Sequence, residues 1–199
     1  MLNLLILFFG YLFGSFPSGY LAGRIAKGID IRSLGSGSTG ATNVLRHIGK
    51  RAAIAVFLMD VFKGIISILL AKYFLLNDSW QVAIGLSTLI GHIWPVWLNW
   101  RGGKAVATGL GIFLGLSWQV GLATLGIFIL MITLFRIVSL ASVSAALALP
   151  LIMFISFKNS SISPPFLVIS LLAMTLVIWR HRENIVRLIK GKEPKIGQP

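Results

Sequence analysis

The fold of this chain depends on one apolar stretch, residues 105–135, which reads AVATGLGIFLGLSWQVGLATLGIFILMITLF. As a single helix it would be about 46 Å long at 1.5 Å per residue, well beyond the roughly 30 Å hydrocarbon core of a bilayer. Two shorter helices would fit such a core, a Gly-rich one at 105–117 and a second one at 119–135. The charges along the rest of the chain decide between these two interpretations.

The composition of the 199-residue chain is that of a polytopic membrane protein. Hydrophobic residues make up 56% of it and charged residues only 12%, whereas a soluble domain has about 25% charged residues. So much apolar surface could not be buried in a core of this size, which excludes an ordinary soluble enzyme. The net charge of +13 alone would suggest nucleic acid. With this apolar content we expect no nucleic-acid partner, and we place the charge in loops beside membrane lipids.

A membrane-crossing helix needs about 20 mostly apolar residues. With the long stretch divided, the chain has seven candidate spans, approximately at 3–22, 52–76, 81–98, 105–117, 119–135, 138–157 and 164–179. We therefore expect residues 1–199 to form a single polytopic membrane domain. The Ser/Pro cluster at 159–165 is expected to be an external turn, and residues 191–199 a frayed polar tail.

Loop charge supports the division and gives the orientation. Residues 24–51 and 180–195 are both rich in Lys and Arg, which are enriched in cytoplasmic loops, so an even number of crossings must separate them. Only the divided stretch supplies that even number. We predict an all-α integral membrane protein with seven transmembrane helices, its N-terminus outside and its C-terminus cytoplasmic. All 18 basic residues then lie on the cytoplasmic side except Lys63, Lys72 and Lys158.

The most polar segments lie near helix starts. In the predicted topology the second, fourth and sixth helices begin at the cytoplasmic face, and helix N-termini favour anions such as phosphate. Near these ends, and in the tail on the same side, lie GSGSTGATNVLR at 35–46, GHIWPVWLNWRGGKAVATG at 91–109, the group Arg136, Ser139 and Ser142, and RHRENIVRLIKGKEPK at 180–195. We expect these segments, with short broken helices, to meet at one cytoplasmic rim.

The segment 35–46 has the composition of a phosphate-binding loop. Its glycines can adopt positive φ, and its hydroxyl and N–H groups donate hydrogen bonds without adding charge. It is not a P-loop, since no GK[ST] follows the glycines, and a flexible polar loop is the alternative. The candidate substrate-binding residues are Gly35, Ser36, Gly37, Ser38, Gly40, Thr42, Asn43 and Arg46.

Gly102, Gly103 and Lys104 form a second candidate site at the start of the short span. A lysine beside the positive N-terminus of a helix is unfavourable unless an anion lies between them. The alternative is that Lys104 only follows the enrichment of basic residues in cytoplasmic loops.

Several other polar residues are open to two interpretations. Asp60 and Lys63 share a helix face inside a span, where a neutralising structural pair is slightly favoured over direct chemistry. His92 fits a packing hydrogen bond as well as a catalytic role. His181 and Asn184 share a face near the rim and are ligand candidates, although a solvated helix is the alternative.

The sequence offers no metal site or common nucleophile. Its 5 acidic residues are scattered and cannot cage Mg²⁺ or Ca²⁺, and 3 His without Cys make no convincing zinc set. There is no G-x-S-x-G motif and no Asp five residues after a His. We therefore expect no cofactor and no metal.

Five segments together resemble the bacterial acyl-phosphate:glycerol-3-phosphate acyltransferase family (PlsY-type). They are GSGSTGATNVLR at 35–46, DVFKG at 60–64, GHIWPVWLNWRGGKAVATG at 91–109, RIVSLASV at 136–143 and RHRENIVRLIKGKE at 180–193. They match in order, spacing and total length, so the resemblance covers essentially the whole chain. Ser38 stands where the family usually has Asn, and Ala105 where Gly is common.

The resemblance implies a multi-pass enzyme of the bacterial inner membrane, active on the cytoplasmic side in phospholipid synthesis. It would transfer a fatty acyl group from acyl phosphate to glycerol 3-phosphate, giving lysophosphatidic acid and phosphate. Because phosphate is a good leaving group, neither a metal nor a covalent acyl-enzyme would be needed.

In this hypothesis the loop holds acyl phosphate, while Arg46 and Lys104, aided by His181 and Asn184, hold glycerol 3-phosphate. Lys104 or Ser142 stabilises charge on the carbonyl oxygen. The general base is either His181 or a phosphate oxygen of the substrate.

Two other functions are weighed against this one. Short, Gly-rich broken helices are also features of transporters or lipid translocators for phosphorylated compounds, but alternating access needs polar lining through the midplane. An acyl-CoA donor ranks lower, because no segment suits the adenine and pantetheine portions.

Overall fold

The computed structural model describes residues 1–158 and 162–197, and within them the regular structure is helical, without strands. The chain divides into two compact units, Met1–Gly115 and a second unit that begins at Leu116. Part of the predicted turn at 159–165 (residues 159–161) and the last two residues of the predicted tail (198–199) lie outside the described residues.

The first unit contains helices α1 to α6. Their bounds are Leu2–Gly14 (α1), Ser18–Lys27 (α2), Ala41–His47 (α3), Lys50–Tyr73 (α4), Asp78–Ile93 (α5) and Val106–Leu116 (α6, whose last residue begins the second unit). Two short 3-10 turns, Ile31–Ser33 and Val96–Leu98, lie between them.

The first predicted span, 3–22, is not one continuous helix. It is broken between α1 and α2, because Pro17 has no N–H group and disfavours helical backbone at Phe16 before it. The combined stretch Leu2–Lys27 still has the length and apolarity of one span. In the same way α5 ends before Pro95, so the predicted span 81–98 finishes in a 3-10 turn.

The second unit contains helices α7 to α10, at Trp118–Phe135, Val138–Lys158, Pro164–Arg180 and Arg182–Ile189. Helices α6 and α7 are separate because Ser117 between them has extended backbone, with φ −149° and ψ 105°. The predicted division of residues 105–135 into two helices is therefore confirmed.

Five helical stretches in the described residues are long and apolar enough to cross a membrane. They are Leu2–Lys27, Lys50–Tyr73, Asp78–Leu98, Trp118–Phe135 and Val138–Lys158. A sixth would be α9 with α10, which meet at a bend of 62°, whereas α6 is apolar but has only 11 residues. The count of seven spans and the orientation of the termini stay predictions.

Helices α1 and α5 approach each other so closely that only glycine fits at their contact. A Cβ atom at Gly14 would collide with the carbonyl group of Thr88, and one at Gly91 with the carbonyl oxygen of Tyr11. Small residues of this kind let the backbones of membrane helices pack directly. This contact holds the C-terminal end of α5, which carries His92, beside the break between α1 and α2.

A second glycine contact joins α4 to α6. A Cβ atom at Gly64 would collide with the carbonyl oxygen of Thr108, and one at Gly111 with that of Val61. The first turn of α6 is thereby fixed against the middle of α4, one turn from Asp60.

Candidate functional site

The segment 35–46 folds around the side chain of Asn43, which is 2% exposed. Its amide nitrogen lies 3.0 Å from the carbonyl oxygens of Ile31 and Leu34 and 2.9 Å from that of Ser38. Its amide oxygen accepts a hydrogen bond of 3.3 Å from the backbone N–H of Ser36. One buried side chain therefore sets the shape of the whole loop.

Two glycines allow the loop to turn as it does. Gly35 and Gly37 have φ of +55° and +64°, a left-handed conformation that favours glycine. A Cβ atom at Gly35 would also collide with the ring of His47. The hydroxyl of Ser38 accepts a hydrogen bond of 3.2 Å from the N–H of Gly40. The loop is thus a defined turn with its own hydrogen bonds.

The other candidate residues of this segment lie nearer its surface. Arg46 is on an exposed face of α3, while Ser36 and Thr42 are partly buried. The guanidinium group is therefore placed where it can reach an anion outside the loop, whereas the amide of Asn43 is used inside it.

Arg32, just before this segment, forms an ion pair with Asp30 and a hydrogen bond to the chain before α6. The guanidinium of Arg32 lies 2.7 Å from the carboxylate of Asp30 and donates another hydrogen bond of 2.7 Å to the carbonyl of Leu98. The hydrogen bond from Arg32 holds the pKa of Asp30 below its ordinary value, against the opposing effect of burial. The carboxylate is therefore charged at neutral pH and keeps this ion pair intact.

The turn at 102–104 packs against the C-terminal end of α5. The N–H of Gly103 donates to the carbonyl of His92 at 3.0 Å, and the N–H of Gly102 donates to that of Ile93 at 3.1 Å. A Cβ atom at Gly103 would collide with the imidazole ring of His92. The ring therefore lies directly on the glycine that precedes Lys104.

The beginning of α6 has two unusual features. Ala105 has φ of +63°, in the left-handed region that favours glycine. The hydroxyl of Thr108 is fully buried and has no hydrogen-bond partner among the described protein atoms. Thr108 lies within the segment 91–109, but nothing in the sequence distinguishes it from its neighbours.

A buried polar cluster lies between these two Gly-rich segments. Asp60 is 1% exposed, and its Oδ1 lies 2.8 Å from the ammonium of Lys63, 2.7 Å from the hydroxyl of Ser18 and 3.8 Å from Nδ1 of His92. Lys63 also donates a hydrogen bond of 3.4 Å to the carbonyl of Phe16. We call Ser18, Asp60, Lys63 and His92 the Asp60 cluster. The sequence indicated the pair of Asp60 and Lys63, but it gave no signal for Ser18.

Both Gly-rich segments pack against the Asp60 cluster or the residue next to it. Gly19 follows Ser18 and packs so closely against the carbonyl of Thr39 that a Cβ atom could not fit between them. On the other side, the ring of His92 lies on Gly103. The structure thus brings the loop 35–46 and the turn 102–104 onto one cluster.

In the second unit, three polar side chains surround the carboxylate of Glu193. Its Oε1 accepts hydrogen bonds from Ser139 at 2.8 Å and Asn184 at 2.6 Å, and its Oε2 accepts one from Arg187 at 2.7 Å. Burial raises the pKa of Glu193, but the hydrogen bonds from Asn184, Arg187 and Ser139 together outweigh it, so the pKa lies below its ordinary value. Ser139 and Asn184 were expected near the rim, but nothing in the sequence marks Glu193 as their common partner.

The expectation of a frayed tail is wrong for the described part, 191–197. Besides the bonds to Glu193, the N–H of Ile196 donates to the carbonyl of Arg136 at 2.7 Å, and the side chain of Arg136 donates back to the carbonyl of Ile196 at 3.0 Å. The physical reason is that a buried carboxylate finds three donors at the start of α8 and on α10. The tail is folded onto these helices.

The two remaining candidates of the second unit are buried. The hydroxyl of Ser142 donates to the carbonyl of Val138 at 2.9 Å. The Nδ1 atom of His181 lies 2.8 Å from the carbonyl oxygen of Val177. This contact requires the proton on Nδ1, so a neutral ring has its lone pair on Nε2, the form that a general base needs.

No group of three or more His, Asp or Glu side chains within 1–158 and 162–197 is arranged to hold a metal ion. The polar groups described above come from helix ends and loops, except Asp60 and Lys63, which lie within the apolar helix α4. These features define the class of the protein: an all-helical integral membrane protein with polar, Gly-rich segments at helix ends.

Comparison with known proteins specifies this class further. The family model described as glycerol-3-phosphate acyltransferase matches residues 4–191. A protein of Prochlorococcus marinus (strain NATL1A), named glycerol-3-phosphate acyltransferase, is 90% identical over 198 residues, which cover 100% of both chains. The chain therefore belongs to the glycerol-3-phosphate acyltransferase family.

Solved structures agree with this assignment. The crystal structure of PlsY (YgiH), described as an integral membrane glycerol 3-phosphate acyltransferase in its glycerol 3-phosphate form, has a TM-score of 0.92 at 36% sequence identity. The match covers 99% of this chain and 96% of that one. A second structure of PlsY, described as the lysphosphatidic acid form, has a TM-score of 0.89 over the same shares. None of these matches favours a transporter.

Proposed function

We propose that this protein transfers a fatty acyl group from acyl phosphate to glycerol 3-phosphate, forming lysophosphatidic acid for phospholipid synthesis. The observation that carries the proposal is the likeness over nearly the whole chain to structures described as the glycerol 3-phosphate form and the lysphosphatidic acid form of one acyltransferase. These two molecules are an acceptor and the product of its acylation.

The proposed reaction is a direct displacement. The glycerol hydroxyl oxygen attacks the acyl carbonyl carbon, a new C–O ester bond forms, and the bond from that carbon to the phosphate oxygen breaks. The hydroxyl proton passes to Nε2 of His181 or to a phosphate oxygen of the substrate. Inorganic phosphate leaves with the electron pair, so no covalent acyl-enzyme is formed and no metal is required.

In the first unit, we assign the loop residues to the acyl-phosphate head and the turn to glycerol 3-phosphate. Arg46 and Lys104 supply positive charge, and the N–H groups and hydroxyls of the loop supply neutral donors. The defined shape of the loop around Asn43 and the packing of Gly102 and Gly103 on α5 support this assignment. A pre-formed binding loop loses less conformational freedom on binding.

In the second unit, Ser142, His181 and Asn184 are assigned to the reacting groups. Ser142 or Lys104 stabilises developing charge on the carbonyl oxygen, and Asn184 orients the acceptor. The Nδ1 contact of His181 with Val177 supports a proton-accepting role for its Nε2. The hydrogen bond from Asn184 to Glu193 gives the amide a fixed orientation.

We also propose seven spans in one polytopic domain of 1–199, with the N-terminus outside and the C-terminus and active site on the cytoplasmic side of the bacterial inner membrane. The separation of α6 from α7 supports the seventh span. The excess of basic residues at 24–51 and 180–195 supports the orientation.

The test uses purified protein in detergent with acyl phosphate and radiolabelled glycerol 3-phosphate, without ATP or acyl-CoA. Labelled lysophosphatidic acid is expected, and Lys104→Met should lower its rate at least 100-fold because a charged phosphate contact is lost. Lys158→Met, at the exposed end of α8, is the matched control and should leave the rate unchanged.

Absence of labelled product with the unaltered protein would overturn the proposed function. Uptake of labelled glycerol 3-phosphate into proteoliposomes would then favour a transporter. If labelled product formed only when acyl-CoA was supplied, the protein would still be an acyltransferase, but its acyl donor would be acyl-CoA and not acyl phosphate.

A further inference from the structure

Asp60 is the most buried acidic residue among the described residues, and the reaction proposed above gives it no role. It lies on α4 within a candidate span, paired with Lys63 at 2.8 Å. Buried ion pairs contribute little net stability, because removing two charges from water offsets their attraction. Mutual neutralisation of charge is therefore a poor explanation for the presence of Asp60 and Lys63, because two apolar residues at these positions would stabilise the fold equally well.

The contacts of Asp60 on one side lead to the loop 35–46. Ser18 donates a hydrogen bond of 2.7 Å to Oδ1, and this bond is buried. Ser18 begins α2, and the next residue, Gly19, packs directly against the backbone of Thr39. The position of α2 on Asp60 therefore sets the position of the loop.

On the other side, the contacts of Asp60 lead to the turn 102–104. Oδ1 lies 3.8 Å from Nδ1 of His92, an electrostatic contact longer than a hydrogen bond. The other ring nitrogen, Nε2, lies on Gly103. The imidazole is therefore a spacer between the carboxylate and the residue before Lys104.

We propose that Asp60 is a positioning residue, which acts through Ser18 and His92 to hold the loop 35–46 and the turn 102–104 at the separation that the two substrates require. This inference rests on the proposed function for its kinetic consequence. Its structural consequence, the ordering of the two segments, does not depend on catalysis.

The test must separate positioning from simple neutralisation of Lys63. Asp60→Asn alone leaves a buried ammonium without its counter-charge and is expected to destabilise the fold. The double variant Asp60→Asn/Lys63→Met removes both charges, and its thermal midpoint in detergent should return to within a few degrees of that of the unaltered protein. Asp78→Asn, at the other end of α5 from His92, is the matched control.

Kinetics supply the first measurement. In the double variant we expect KM for both substrates to rise about 10-fold, while kcat changes much less. This pattern is expected when a variant loses binding interactions that are equally strong in the ground state and the transition state. Ser18→Ala should raise KM for acyl phosphate alone, and His92→Gln that for glycerol 3-phosphate alone. A double variant with both KM values within twofold of normal would overturn the inference.

Amide hydrogen exchange supplies the second measurement and needs no turnover. The amides of 35–46 and 99–105 should exchange at least tenfold faster in the stable double variant than in Asp78→Asn. Unchanged exchange would refute the positioning role even if the enzyme is active. Faster exchange with no acyl transfer by the unaltered protein would support the role while the proposed function fails.

Discussion

The amide of Asn184 donates a hydrogen bond of 2.6 Å to the carboxylate of Glu193, nine residues further along the chain. This bond joins α10 to the tail, and Ser139 at the start of α8 shares the same carboxylate oxygen. A single acidic side chain therefore connects three segments of the second unit.

Glu193→Gln is expected to lower the free energy of unfolding by about 2 kcal/mol, because hydrogen bonds to a charged group contribute about 1.5–3 kcal/mol each. In addition, the new NH₂ group of glutamine cannot accept hydrogen bonds from the neighbouring donors. Thermal unfolding in detergent measures this effect. Glu183→Gln, at an exposed side chain of α10, is the control and should have no measurable effect.

The stabilisation by Glu193 should depend on pH in a defined direction. Its pKa is lower in the folded protein than the ordinary value of 4.5, so the stabilisation is complete above that value and disappears as the pH falls through the native pKa. The difference in thermal midpoint between the unaltered protein and Glu193→Gln should therefore be constant from pH 7 to about 4.5 and shrink below it. A difference that grows on acidification would contradict this account.

Asn43→Ala should destabilise the protein by about 2–3 kcal/mol, because the carbonyl groups of Ile31, Leu34 and Ser38 lose a buried donor. It should also raise KM for acyl phosphate. Asn77→Ala removes an exposed cap of α5, which contributes about 1 kcal/mol, and should leave KM unchanged. Equal KM values for acyl phosphate in the two variants would show that the loop does not take part in binding acyl phosphate.

Gly111→Ala is expected to cost about 1–3 kcal/mol, because its Cβ atom meets the backbone of α4 at Val61, which cannot move aside. Gly126→Ala is the opposite case, since nothing lies within 4 Å of its added Cβ atom and alanine is the better helix former by up to about 1 kcal/mol. Thermal midpoints should therefore shift in opposite directions. A stabilised Gly111→Ala variant would show that α4 and α6 are not in backbone contact.

Ala105→Gly should stabilise the protein by about 1 kcal/mol or less. Left-handed backbone costs a non-glycine residue about 1–2 kcal/mol, and the greater freedom of glycine in the unfolded chain offsets about 0.4–1 kcal/mol of the relief. Ala123→Gly, at an exposed position inside α7, should instead destabilise by about 1 kcal/mol. If both variants lost the same free energy of unfolding, the left-handed conformation at Ala105 would be contradicted.

His181→Gln should lower kcat about 100-fold, the usual contribution of a general base. Steady-state kinetics with both substrates measures it, and an unchanged thermal midpoint would show that the fold is kept. Near-normal kcat with a raised KM for glycerol 3-phosphate would make His181 a binding residue and assign the proton to the substrate phosphate.

Helix positions could be predicted because their signal is local. Apolar stretches of about 20 residues place the helices to within a few residues. At 105–135, the stretch is too long for one span, which indicates two helices. The break at Pro17 was missed, because an apolar count does not register a missing N–H group. The membrane topology of the termini remains a prediction based on charge.

The candidate site was predicted where motifs are contiguous and missed where contacts are distant in sequence. The loop around Asn43 and the turn before Lys104 could be located from glycine, hydroxyl and basic residues. Nothing local marks Ser18 as the partner of Asp60, 42 positions away. Glu193 looked like one more charge in a polar tail, and only the tertiary fold shows that it is buried.

The glycine contacts also limit where a fatty acyl chain can lie. At Gly14 and Gly91 between α1 and α5, and at Gly64 and Gly111 between α4 and α6, backbone touches backbone without room for a methylene group. At these contacts there is no room for a hydrocarbon tail to pass between α1 and α5 or between α4 and α6. A tail that lies along an outward helix surface instead has the surrounding lipid as its solvent, so we expect tail length to be tolerated more broadly than head-group chemistry.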